Sequence, residues 1–247
     1  MHRLRTDLPG AMSTITDNLV ADLASLTFSA PVTHAYNPLV YARRGFDAYV
    51  KRFGRTSKSV IFLGMNPGPF GMVQTGVPFG DVQMVREWMG IETDVTPPTH
   101  THPKRPVDGF DCKKREVSGR RLWGLAKHRF GRPEAFFKRF LVLNYCPLAF
   151  MEITGRNRTP DRLPVTEKKQ LFAVCDRALR QSVALYRPRW VVGVGRFAEQ
   201  RARSALVGMT PIIGRISHPS PANPQANRGW EDLVASELET MGIKLAG

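Results

Sequence analysis

Four short apolar runs dominate what this chain can fold into: SVIFLG at 59–64, FLVLN at 140–144, WVVGV at 190–194 and IIGRI at 212–216. Runs this short, rich in branched residues and closed by glycine or a polar residue, are the pattern of strands buried on both faces. The segments between them carry helical signals. A helix is expected from Asp81, as cap, to Gly90, and two short helices over 118–139, broken at Gly131 and Pro133. Leu171, Val174, Ala178, Ser182 and Leu185 form one stripe of a helix over 166–186, and basic and amphipathic helices follow over 195–206 and 227–241. Strands alternating with helices imply an α/β fold, a three-layer sandwich with a central four-stranded, mainly parallel sheet and helices on both faces. Residues 1–30 show only a short apolar stretch near Leu19 to Leu26 and are expected to be a loose arm, with a single domain over 31–247. A long loop is expected from Ile91 to about Val117.

Charge narrows the partner. Thirty-six Lys and Arg against 21 Asp and Glu leave +15, which suits a polyanion, either nucleic acid or an anionic membrane. No run approaches the roughly 18 apolar residues of a membrane span, so a membrane is the poorer partner. Asp7 and Pro9 interrupt the basic opening before an apolar segment can form, so no secretory signal is expected and the protein is expected inside the cell. Cys112, Cys146 and Cys175 lie too far apart for a paired-cysteine metal motif and read as ordinary thiols. His100, His102 and Cys112 fall in a Pro-rich stretch that reads as a polar loop on the surface, so neither metal nor cofactor is expected.

In parallel sheets, ligands bind beyond the carboxyl ends of the strands. The loops there are 65–80, 144–150 and 217–224, and their turn-rich residues would converge on one pocket that includes Asn66, Asn144 and His218. Asn66 before Pro67 starts a turn or presents an amide to the pocket. The carboxamide of Asn144 caps its strand or offers a donor and an acceptor side by side to a ligand. Phe79 is a core aromatic or a platform for a flat base, where stacking contributes about 1–3 kcal/mol per base. His218 precedes a Pro-clamped turn that would aim its imidazole. The basic, aromatic stretch from His128 to Phe140 reads as a phosphate-contacting surface, or as a solvated helix face with its aromatics in the core.

These loops resemble the single-strand-selective monofunctional uracil-DNA glycosylases, the SMUG family of the uracil-DNA glycosylase superfamily. The resemblance runs from about Tyr36 to the last helix through GMNPGPFGMVQTGVPFG at 64–80, LNYCPL at 143–148, VVGVGRFAEQRAR at 191–203 and HPSPANPQANRGW at 218–230. It implies that fold and a monomeric DNA-repair enzyme that hydrolyses the base–sugar bond of uracil and oxidised pyrimidines such as 5-hydroxymethyluracil, in single- and double-stranded DNA. The setting it implies is the bacterial cytoplasm or nucleoid, or the eukaryotic nucleus. By the same resemblance Asn66 positions water, His218 stabilises charge on O2, Asn144 reads N3–H and O4, and Phe79 stacks on the ring. Met65, Gly68 and Met72 line the base, with Gly68 and Met72 on its C5 side. Ser220, Pro221, Ala222 and Asn223, together with Gly155, Arg156, Asn157 and Arg158, are the implied DNA contacts. Animal members carry arginine where Ala222 stands, so the loop loses its wedge into the duplex. No lysine lies in the three loops to form a Schiff base, so an abasic site is the expected product. A binding module that has lost catalysis, and a relative specialised for deaminated purines, are the alternatives.

Overall fold

The computed structural model describes residues 7–245. In chain order the main elements begin with α1 (Leu8–Ala24), β1 (Val32–Tyr36), α2 (Pro38–Tyr41), α3 (Arg43–Phe53), β2 (Val60–Gly64) and α4 (Met72–Thr75). They continue with α5 (Val117–Phe130), α6 (Pro133–Phe137), β3 (Phe140–Asn144), β4 (Ala149–Glu152), β5 (Asn157–Arg158) and α7 (Val165–Tyr186). The chain closes with β6 (Trp190–Val194), α8 (Arg196–Ala205), β7 (Ile212–Ile216) and α9 (Trp230–Thr240). The four apolar runs are the strands of one parallel sheet in the order β3-β2-β6-β7. Phe62 packs with Leu122, Phe136 and Trp230 on one face. Leu63 and Leu143 pack with Met12, Phe46 and Leu179 on the other. Alternating strand residues therefore serve two helical layers, which is why the runs are apolar throughout rather than at every second position.

Local chemistry sets the boundaries. Gly131, at φ 67°, ends α5, and Pro133 opens α6 at its first turn, so the break falls where the sequence places it. The expected helix from Asp81 forms over 82–88, its later part at Met84–Trp88 wound as a π-helix, and Asp81 Oδ1 holds its start by accepting from the Met84 amide at 3.2 Å. The last helix starts later than expected, after a short 3-10 turn at Ala226–Arg228.

Residues 8–24 of the expected arm form α1 and pack against α7, with Met12, Thr16 and Leu23 buried. Residues 1–6 lie outside the described residues. The α1 stripe was diluted by Thr16, whose hydroxyl donates to the Met12 carbonyl at 2.8 Å and so is tolerated inside. A second sheet, β1-β4-β5, is antiparallel and had no counterpart in the expectations. Its hairpin of β4 and β5 extends the loop after β3 and carries Asn157 and Thr159 toward the carboxyl ends of the parallel strands. On the free edge of β3, the Tyr49 hydroxyl bonds both the amide and the carbonyl of Val142, each at 3.1 Å, replacing a missing strand partner.

Candidate active site

Gly64 and Asn144 close β2 and β3 in register, so the loops that follow start side by side. Backbone bonds from Tyr145 to the Gly64 carbonyl and from Cys146 to the Met65 carbonyl, both 2.9 Å, zip them together beyond the strands. Above them opens a cavity of about 340 Å³. Met65, Asn66 and Gly68 line it from the first loop, Asn144 from the second and His218 and Ser220 from the loop after β7. Phe79 forms part of its wall.

Each polar group is aimed by a specific contact. Asn66 Nδ2 donates to the Leu148 carbonyl at 3.1 Å, which turns its carbonyl oxygen away from that bond. Asn144 Nδ2 rests on the thioether of Met72 at 3.2 Å, while its Oδ1 is buried without a protein partner. A buried acceptor left unpaired costs about 1–3 kcal/mol, so this oxygen is a ready receptor for a ligand N–H. Phe79 sits at φ 54°, uncommon for a bulky residue. Its carbonyl is held by the Asp81 amide at 2.8 Å and by Trp123 Nε1 at 3.0 Å. A side chain at Gly64 would strike both the Phe79 ring and Asn144 Oδ1, so the strand must end in glycine here.

His218 stands on the most heavily braced loop. Ser217 before it is clamped by Glu237 through its amide and hydroxyl, both at 2.7 Å, and by Trp230 Nε1 on its carbonyl at 2.8 Å. Arg121 reaches from α5 to the Pro219 carbonyl and to Asn227 Oδ1, both at 2.9 Å. The Ser220 amide donates to His218 Nδ1 at 3.0 Å, so in the neutral ring the proton sits on Nε2. Burial pushes the imidazole down to about 4, so that neutral ring prevails at physiological pH. Gly195, at φ 93°, takes a backbone conformation that suits glycine, and a Cβ there would sit tightly against His218 Cβ at 3.2 Å.

The structure separates other expected residues. Met72 is buried behind Asn144 and does not line the cavity. Asn157 does, its Nδ2 at 3.5 Å from the Pro67 carbonyl. Arg158 pairs with Glu152 at 2.9 Å and bonds the Arg162 carbonyl, whereas Arg156 is exposed. Gly155, at φ 81°, turns the hairpin against His102. Pro221 and Ala222 are exposed, and Asn223 bonds back to the His218 carbonyl at 3.0 Å. His102 is buried, its Nε2 at 3.0 Å from the Ile153 carbonyl and its Nδ1 accepting from the Lys104 amide at 3.1 Å, so both ring nitrogens have structural partners.

The stretch from His128 to Phe140 lies at the amino end of β3, on the edge of the sheet away from the cavity. Phe136, Phe137 and Phe140 are buried, and His128 and Arg129 pair with Glu231. The aromatics of that stretch therefore belong to the core, while Arg132 and Lys138 stay exposed. Sequence reasoning missed Glu116, Ser118 and Thr159, which also line the cavity. Glu116 and Ser118 look like ordinary residues at a helix start, and Thr159 depended on a hairpin that periodicity did not reveal.

Residues 51–236 match the uracil DNA glycosylase superfamily. The chain is 50% identical over 227 residues to the single-strand selective monofunctional uracil-DNA glycosylase of Rattus norvegicus, covering 91% of this chain and 82% of that protein. It is 49% identical to the counterpart of Mus musculus, covering 91% and 81%. Among solved structures, the SMUG2 protein of Pedobacter heparinus has the same fold, with a TM-score of 0.67 at 17% identity over 92% of this chain and 97% of that one.

Proposed function

As the chain belongs to the SMUG family of the uracil-DNA glycosylase superfamily and is a uracil-DNA glycosylase, we propose that it is monofunctional and acts on single- and double-stranded DNA. Its substrates in this reading are uracil and oxidised pyrimidines such as 5-hydroxymethyluracil, and its product is an abasic site. The observation that carries the proposal is the convergence of Asn66, Asn144, Phe79 and His218, from three strand ends, on one cavity of about 340 Å³.

The target nucleotide leaves the stack to enter the cavity, at a cost that a single strand or a U·G mismatch lowers. Phe79 supports the flat ring. Asn144 accepts from N3–H through Oδ1 and donates to O4 through Nδ2, exchanging its weak sulfur contact for a stronger acceptor. As the C1′–N1 bond breaks, its electron pair passes to the uracil ring and charge gathers on O2. The neutral His218 offers Nε2–H to that oxygen, and a donor placed this way commonly contributes about 2.7–4 kcal/mol to the transition state.

Asn66, with Nδ2 committed to Leu148, presents Oδ1 to a water whose oxygen bonds C1′ on the face opposite the departing base. The water's surplus proton passes to solvent, because an amide is too weak a base to keep it. Among the described residues no lysine lines the cavity, which fits hydrolysis rather than a Schiff-base intermediate.

The test is an excision assay on single-stranded and U·G oligonucleotides carrying uracil, 5-hydroxymethyluracil, xanthine or hypoxanthine, without added metal. Free pyrimidine and an intact strand with an abasic site are expected. Failure to release uracil from any of them would overturn the proposal.

A further inference from the structure

Resting on the reading of His218 as the donor to O2, we propose that Arg121 is a positioning residue for base release. Its guanidinium holds the peptide between Pro219 and Ser220 in the orientation that keeps the His218 proton on Nε2.

The two bonds that matter belong to one peptide group. Its carbonyl, from Pro219, accepts from Arg121 Nη1 at 2.9 Å, and its N–H, from Ser220, donates to His218 Nδ1 at 3.0 Å. A trans peptide is planar, with carbonyl and N–H pointing opposite ways, so a group that fixes one fixes the other. A neutral imidazole has one donor and one acceptor nitrogen. While the Ser220 N–H faces the ring, Nδ1 is the acceptor and Nε2 the donor. If the plane turned over, the Pro219 carbonyl would face the ring and draw the proton to Nδ1. Nε2 would then meet O2 with a lone pair.

The surrounding loop leaves this rotation as its soft motion. The pyrrolidine ring fixes φ of Pro219, and Pro221 holds ψ of Ser220 in the extended range. On either side, Asn223 Nδ2 holds the His218 carbonyl at 3.0 Å, and the Asn223 amide holds the Ser220 carbonyl at 2.9 Å. The torsions with most freedom left are ψ of Pro219 and φ of Ser220, the pair that turns the peptide between them. Among the described residues, Arg121 is the one group from outside the loop that bonds this peptide.

The contacts of Arg121 fit this task better than an ion pair. Its fork closes on two neutral oxygens, the Pro219 carbonyl and Asn227 Oδ1, both at 2.9 Å. Asn227 is itself tied by Nδ2 to the Pro221 carbonyl at 2.8 Å, so the second arm anchors the guanidinium to the same loop. A charged donor bonds a carbonyl more strongly than a neutral one does. It also polarises the N–H of the same peptide, which strengthens the bond to Nδ1. Arg121 does not line the cavity, so its effect reaches the base through His218.

The experiment is NMR of the imidazole nitrogens in isotope-labelled wild type, Arg121→Ala, Arg121→Lys and Asn227→Ala near neutral pH. Melting curves and kcat and KM for uracil in a single strand are measured alongside, and the His218 signals are those that His218→Ala lacks. Wild type should carry its proton on Nε2. Arg121→Ala should move the proton toward Nδ1 and lower kcat by about tenfold or more, the effect of losing a hydrogen bond from a charged group, with KM little changed. Arg121→Lys, which keeps a charged donor for one oxygen, should recover part of both. Asn227→Ala leaves the Pro219 bond in place and should keep the wild-type tautomer. In a His218→Ala background, Arg121→Ala should lower kcat no further. A tautomer unmoved in Arg121→Ala, or moved as far by Asn227→Ala, or a second full fall in kcat without His218, would each overturn the assignment. A wild-type protein that releases no uracil would instead overturn the parent reading, because the tautomer is read without substrate.

Discussion

The backbone amide of Ser220 donates to Nδ1 of His218 across 3.0 Å, and this bond decides which nitrogen of the imidazole faces the cavity with a proton. The ring is pushed from 6.5 down to about 4 by burial. Over that window the unfolded chain binds a proton that the folded chain resists. The folded state therefore keeps its full margin above pH 6.5 and loses it as pH falls toward 4. Wild-type uracil release should hold its rate through pH 6.5, because the donor form is already populated. Melting temperature should fall more steeply below pH 6.5 in wild type than in His218→Ala, and paired melting curves across this range check it.

Asn66 is tied to a carbonyl by its nitrogen, so its two halves can be separated by substitution. Asn66→Ala removes the oxygen proposed to orient water and should lower uracil turnover by about two orders of magnitude. Asn66→Asp should be no rescue, since it sets a carboxylate against the Leu148 carbonyl where a donor stood. It should also melt lower than Asn66→Ala, because two acceptors then face each other in a partly buried site. Single-turnover rates and calorimetry on both variants measure the two effects.

Gly64 offers a test of Asn144 and Phe79, the pair proposed to hold the base, without touching either member. The methyl of Gly64→Ala would push on Asn144 Oδ1 and the Phe79 ring together. Overpacking of this kind costs about 1–3 kcal/mol of stability, and the displaced amide and ring should weaken binding as well. We expect a raised KM and a lowered kcat for uracil in a protein that still folds, read by steady-state kinetics beside melting curves.

The parallel sheet and the cluster on its carboxyl edge were legible because both rest on local chemistry. An apolar run such as FLVLN cannot sit in water, and Asn144 at its end can only lie at the sheet's edge. What escaped depends on contacts distant in sequence. The strand β1 pairs with β4 more than a hundred residues away, and its own pattern has only its two ends buried. The stripe of α1 includes Thr16, polar by composition yet buried by an internal hydrogen bond. Glu116 had the opposite fate. It reads as helix-start chemistry, and only the chain's return over Gly68 brings its carboxyl to the cavity. In the stretch from His128 to Phe140, charge and aromatics adjacent in sequence part into a surface and a core once α5, α6 and β3 are packed.

Ala222 supplies the last prediction. It is exposed on the loop that carries His218, its amide held by Ser220 Oγ at 3.1 Å, and its methyl is too short to occupy the gap left when a base leaves a duplex. A single strand has no such gap, so the deficit should appear only on paired DNA. Ala222→Arg adds a long cation at a position where side-chain length meets no packing constraint, and its backbone bond to Ser220 is unaffected. Excision from U·G duplex should rise by about threefold to tenfold, in line with roughly 1 kcal/mol regained against unstacking. Excision from the single strand should change much less. Rates on matched single- and double-stranded oligonucleotides decide it, and a gain of equal size on both would mean that the arginine acts through phosphate attraction rather than by filling the vacated stack.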